Sequence, residues 1–173
     1  MRESVSADAS YTERYGVPDL LAANDGNGRF VDVSPWGGSH FERALIGRGS
    51  AIGDLDSDGD LDLIISNLAD RAVVLRNDTQ GGHWLTLELI DAEGSRGPDG
   101  IDVWVTIGDR RQHRRTHPCA SYLSQSDRRP HFGVGSATTI DQLDVRWPDG
   151  AEQTLRDVSA DQVLTIQQPR QQQ

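Results

Sequence analysis

The segment Asp54-Leu55-Asp56-Ser57-Asp58-Gly59-Asp60-Leu61-Asp62 constrains this chain more than any other stretch. Five carboxylates alternate within nine residues, and at neutral pH they repel one another at short range. Such a turn closes readily around a hard cation that takes many oxygen ligands. On that reading Asp54, Asp56 and Asp58 supply side-chain oxygens and Gly59 permits the sharp turn. Asp60 gives its backbone carbonyl with its side chain turned outward, and Asp62 closes the site. Calcium is favoured over zinc because no His or Cys lies nearby. It is favoured over magnesium because a crowded oxygen cage suits the larger ion. Short apolar runs flank the loop, Ala51-Ile52 before it and Leu63-Ile64-Ile65-Ser66 after it. An EF-hand starts with the same pattern, but its twelfth position needs Glu and here holds Ile65, and the flanks read as strands.

The rest of the sequence also reads as β-structure. The chain has 173 residues, 18 of them Gly, with a modest apolar fraction of 35%. No segment holds a helical period over three turns, and the apolar runs are short and interrupted, which predicts an all-β fold. Residues 1–18 are polar without a clear period and are expected to be a linker or ragged end. Asn24-Asp25-Gly26-Asn27-Gly28 between two short apolar runs predicts a hairpin. Residues 34–48 look like a loop, and Ala72-Val73-Val74-Leu75 like a short strand. Residues 84–90 and 101–107 alternate, with Ile101, Val103, Val105 and Ile107 on one face. Residues 140–147 run into the turn Pro148-Asp149-Gly150, and Val163-Leu164-Thr165-Ile166 precedes a Gln-rich tail at 169–173.

Charge and composition narrow the function. The net charge is −10, and all 17 positive side chains are arginine. This balance argues against nucleic acid as the main partner. The loop alone carries five of the 27 acidic residues. A single cysteine, Cys119, excludes an intramolecular disulfide framework. No apolar run is long enough for a membrane span, and the N-terminus lacks the apolar core of a signal peptide.

Two resemblances follow from particular segments. The Asp loop, with Gly49-Ser50-Ala51-Ile52-Gly53 before it, Leu63-Ile64-Ile65-Ser66-Asn67 after it and the closing Leu75-Arg76-Asn77-Asp78, resembles the FG-GAP/VCBS repeat. That repeat is the blade of integrin-type β-propellers. Asn24-Asp25-Gly26-Asn27-Gly28-Arg29-Phe30 resembles the turn between two blades. His83-Trp84-Leu85, Ser121-Tyr122-Leu123-Ser124-Gln125-Ser126-Asp127, His131-Phe132-Gly133-Val134-Gly135 and Val145-Arg146-Trp147-Pro148-Asp149-Gly150 resemble the ASPIC/UnbV domain. Repeat followed by this domain is the layout of the cartilage acidic protein 1 and UnbV-like families. The resemblance implies one blade-like repeat over 19–82, where family members usually carry several, and a small β-sandwich-like domain over 83–168. It implies an extracellular or periplasmic calcium-binding module whose C-terminal domain meets a protein or glycan partner, with missing blades as a further contact. Cys119 stands where the family usually has Gly. The alternative that the UnbV association implies is an enzyme or accessory factor in enediyne-type polyketide biosynthesis.

Other residues invite weaker readings. No nucleophile–base pair or cofactor fingerprint is visible, so no catalytic residue is assigned. Cys119 with His113, His117 and His131 would matter chemically only if folding brought them together. Arg110-Arg111-Gln112-His113-Arg114-Arg115 could attract an anionic glycan or lipid head group, but more simply forms a solvated strand face. The polar cluster Ser121 to Asp127 either binds a ligand, with Tyr122 as a stacking surface, or satisfies backbone groups in a long connection, the favoured role. Trp84, Trp104 and Trp147 are expected in core or inter-sheet packing.

Overall fold

A computed structural model describes residues 9–68, 70–79, 81–117 and 121–170. The chain order is α1 (Ala9–Tyr15), β1 (Val17–Pro18), β2 (Ala22–Asn24) and β3 (Phe30–Asp32), then two short 3-10 turns at Ser34–Trp36 and Ser39–Glu42. There follow β4 (Ala44–Leu45), β5 (Gly47–Gly53), β6 (Asp62–Asn67), β7 (Val73–Leu75) and β8 (His83–Ile90). The last six strands are β9 (Asp102–Ile107), β10 (Arg110–Arg115), β11 (His131–Gly135), β12 (Thr139–Arg146), β13 (Glu152–Ser159) and β14 (Gln162–Gln167). The fold is all-β as the alternation predicts, apart from the single short helix inside the stretch expected to be a linker.

The chain divides into two compact units, one of residues 1–50 and 64–75 and the other of residues 51–63 and 76–173. In the first, β2 and β3 form the predicted hairpin, with Ala22 opposite Asp32 and Asn24 opposite Phe30. Its turn is held by side chains: the Gly26 N–H donates to Asn24 Oδ1 at 2.7 Å and the Asn27 N–H to Asp25 Oδ1 at 2.7 Å. β1 pairs with β4, and His40 meets Asp19 at 2.9 Å. Phe30, Leu20 and Trp36 are exposed in this unit, Trp36 by 79%.

The second unit holds two sheets, β10-β9-β12-β13 and β11-β8-β14. Both contribute to one apolar core, which includes Leu85, Leu87 and Leu89 of β8, Val103 and Val105 of β9, Phe132 and Val134 of β11, and Leu143 and Val145 of β12. The arrangement is β-sandwich-like, built on the period-2 alternation of each strand. β8 is the central strand of its sheet, antiparallel to β11 and parallel to β14, with Leu87 opposite Leu164.

The three tryptophans expected in core or inter-sheet packing divide. Trp147 is buried in the core with its Nε1–H donating to Gln153 Oε1 at 2.6 Å. Trp84 is half-buried on β8. Trp104, expected in core or inter-sheet packing, points to the other side of β9, because Val103 and Val105 take the core face and alternation sends residue 104 outward. There it stacks on His113 at 4.9 Å and lies under the guanidinium of Arg146 at 5.1 Å.

Beside Trp104, Asp102 is buried with 7% of its side chain exposed, and it accepts hydrogen bonds from Arg146 Nη2 at 2.7 Å and His113 Nε2 at 2.9 Å. The Arg146 bond, seconded by His113, holds the Asp102 carboxyl below the ordinary carboxylate range against the opposing effect of burial. A depressed folded pKa adds stability above the unfolded value of about 3.9, lost as pH falls through the folded value. Asp102→Asn should therefore lower stability by about 1–3 kcal/mol at neutral pH. Thermal melts of both proteins should converge as the pH is taken below about 4.

Candidate functional site

Between β5 and β6 the backbone is organised by its own aspartates. Asp54 accepts the Ser57 N–H on Oδ1 at 2.7 Å and the Gly59 N–H on Oδ2 at 3.2 Å. Asp58 Oδ1 accepts the Asp60 N–H at 2.9 Å. These bonds wind the chain into a tight turn, and Gly59 takes φ +92°, a conformation costly for any residue with a side chain. Space makes the same demand. A Cβ on Gly59 would lie 1.9 Å from Nε1 of Trp84, so the loop rests directly on that indole.

The five aspartate side chains of the loop divide. Asp54, Asp56 and Asp58 each offer an oxygen within 4.8 Å of the others. Asp60 turns away, its Oδ1 lying 2.8 Å from where a Cβ on Gly81 would stand. Asp62 is 1% exposed and accepts two backbone N–H groups, from Leu55 on Oδ2 and from Asn77 on Oδ1, both at 2.8 Å. Asp62 thus ties the two ends of the loop together. Arg76 lies at the rim, 2.6 Å from Asp78 and 3.9 Å from Asp56.

The electrostatics follow this division. The N–H of Asn77, then that of Leu55, pulls the Asp62 carboxyl below the ordinary range. Desolvation, followed by the charge of Asp58, pushes Asp56 up. Among the described residues, three carboxylates converge with no nitrogen or sulfur donor beside them, a hard, oxygen-only set that suits a divalent cation of the calcium type. The Asp62 oxygens each keep a second lone pair beyond the N–H they accept.

The elements under the loop were not legible in the sequence. Trp84 stacks on His131 of β11, ring centroids 6.0 Å apart at 17°. The His131 ring shares a hydrogen bond with the Thr86 hydroxyl at 2.9 Å, and burial pushes the imidazole below its ordinary pKa. The polar cluster at 121–127 performs backbone work. Ser126 Oγ accepts the Ile52 N–H at 3.1 Å, and the Asp127 N–H donates to the Ile52 carbonyl at 2.8 Å, fixing the strand that enters the loop. Tyr122 is exposed.

The histidine–cysteine grouping has a different outcome. Cys119 lies outside the described residues. His113 is spent on Asp102, His131 on Thr86, and His117 is exposed. Among the described residues, Asp54, Asp56 and Asp58 are the metal-ligating side chains that come together.

Comparison with known proteins places the C-terminal part. Residues 94–173 match the family described as ASPIC and UnbV, so this part of the chain carries an ASPIC/UnbV domain. The match starts after β8, yet β8 supplies three leucines to the same core as β9 and β11–β14. No curated protein matches the chain.

Replacing Gly59 tests the seat of the loop. Gly59→Ala combines a strained φ with a collision against Trp84 and should cost about 2–5 kcal/mol, read as a lowered midpoint in urea unfolding. A change at Leu55, whose side chain is exposed, should be nearly silent in the same assay.

Proposed function

We propose that this chain is a calcium-binding interaction module of an extracellular or periplasmic protein. One ion rigidifies the loop of an FG-GAP/VCBS-type blade, and the ASPIC/UnbV domain meets a protein or glycan partner. The observation that carries the reading is the convergence of Asp54, Asp56 and Asp58 oxygens within 4.8 Å. Asp54, Asp56 and Asp58 hold the ion through their side chains, Asp60 adds its backbone carbonyl and Asp62 closes the loop. The ion supplies charge neutralisation. It offsets the mutual repulsion of the gathered carboxylates, and so favours the wound form of the loop.

The role is structural rather than catalytic. Asp62 and the Asp54 turn bonds hold the backbone against Trp84, so ordering the loop also steadies β8. The extracellular or periplasmic setting suits such a site, since free calcium there is high enough to keep a modest-affinity loop filled.

Calcium titration followed by thermal melting tests this directly. At a hundredfold excess over Kd the ion should add about 2.7 kcal/mol, raising the Tm by about 5–10 °C for a chain of this size. Asp56→Ala combined with Asp58→Ala should abolish the calcium-dependent increment, whatever the loss of the Asp58–Asp60 turn bond does to the calcium-free Tm. An unchanged Tm across the titration would sink the proposal.

A further inference from the structure

β10 is an edge strand: in the sheet β10-β9-β12-β13 it has a strand on one side only among the described residues. It holds four of the 17 arginines of this acidic chain, a histidine and no carboxylate, and every residue of it except Gln112 is exposed. Its last two residues also border a cleft of about 550 Å³, with Arg128 and Arg129 of the connection leading to β11. Arg128 and Arg129 are paired with Asp99 and Asp127.

The register decides what the open side of β10 offers. Ile107 stands opposite Arg110 across a two-residue turn, and Arg115 stands opposite Asp102. One residue further on, the Thr116 N–H donates to the Ile101 carbonyl at 2.9 Å. In an antiparallel pair, residues that bond to the neighbour through their backbone alternate with residues that do not. Counted back from Thr116, Arg114 and Gln112 spend their N–H and C=O groups on β9. Arg111, His113 and Arg115 turn theirs to the open edge. There the His113 carbonyl accepts a bond from Arg114 Nη1 at 3.0 Å.

The same three residues share a face. Their side chains lie on the Trp104 side of the sheet, away from the core, with Arg111 and Arg115 on either side of His113. His113 is spent on Asp102, and Arg111 reaches Asp144 at a long 3.4 Å. Arg115 has no carboxylate within ion-pairing distance among the described residues. Gln112 and Arg114 point the other way, to the Gly133 carbonyl and over the Phe132 ring. Charge of one sign along an edge keeps it from pairing with a copy of itself. It also selects a partner of the opposite sign. An extended chain with carboxylates on alternate residues sets them opposite Arg111 and Arg115, while its backbone takes up the open N–H and C=O groups.

We propose that the β10 edge binds an acidic extended peptide as an added strand of this sheet, with its carboxylates at alternate positions on the Trp104 face. This gives a partner class to the interaction part of the function proposed above, and it uses no residue of the aspartate-rich loop. A Tm raised by calcium without peptide binding overturns this inference alone. Peptide binding without that rise overturns the ion alone.

Calorimetry on the full chain tests the assignment, the probe being an end-capped peptide of alternating Glu and Thr. It should bind saturably, and a peptide of the same composition with its glutamates in one block should bind about tenfold more weakly or worse. N-methylation of the glutamate amides, which face β10, should also weaken binding about tenfold. N-methylation of the threonine amides, on the far edge, should cost less than about threefold. Arg111→Gln with Arg115→Gln should weaken the alternating peptide about tenfold or more, and Arg156→Gln on β13 should leave it unaltered. In the unmodified protein, the peptide should slow amide hydrogen exchange at Arg111, His113 and Arg115, and leave Gln112 and Arg114, already bonded to β9, unchanged. Absence of saturable binding, equal binding of the block or glutamate-methylated peptide, or no slowing of exchange at those three amides would each overturn the proposal.

Discussion

Burial of one face of β8 is the interaction on which the second unit depends. Leu85, Leu87 and Leu89 are almost completely removed from water, and each such leucine contributes about 1.5–3 kcal/mol. The strand can be buried this deeply because both of its edges are paired, with β11 on one side and β14 on the other. The opposite face is then available for other work. Trp84 carries the aspartate-rich loop, and Thr86 holds His131 at the cleft wall. The family match begins beyond this strand, yet without it the sheet β11-β8-β14 has no middle.

The loop and the cleft answer opposite electrostatic problems. In the loop, acidic side chains are gathered, and part of the repulsion is absorbed by backbone N–H groups, most completely at Asp62. What is left falls on Asp54, Asp56 and Asp58, where desolvation, then the charge of Asp58, pushes Asp56 up. In the cleft, arginines are gathered, and part of their charge is absorbed by Asp127 and Asp99. Arg114 instead lays its guanidinium over the Phe132 ring. Ser126 and Asp127 touch both places, since they clamp Ile52 at the entrance to the loop and line the cleft.

Much of this was legible in the residue order. Alternation at 84–90 and 101–107 located β8 and β9, and their apolar positions are the buried ones. The hairpin at 22–32 followed from Asn and Gly at its turn. β13 was not legible, because as a sheet edge it buries only Val158 and shows no apolar period. β11 was obscured by its two glycines, and the helix Ala9–Tyr15 by its brevity. Trp104 was misplaced because a tryptophan in a strand suggests a core, while the alternation set by Val103 and Val105 decides the face.

The sequence by itself determined the all-β class, the tight aspartate-rich turn and the grouping of Asp54, Asp56 and Asp58, because strand alternation and spacing within a loop are local properties. Only the tertiary structure decided the parallel pairing of β14 with β8, the use of Asp62 as a backbone tie, and the seat of Gly59 on Trp84. It alone brought Arg114 and Arg115 to the same cleft as Arg128 and Arg129. These contacts join residues far apart in the chain, and their partners are selected by the closing of the core rather than by any local pattern.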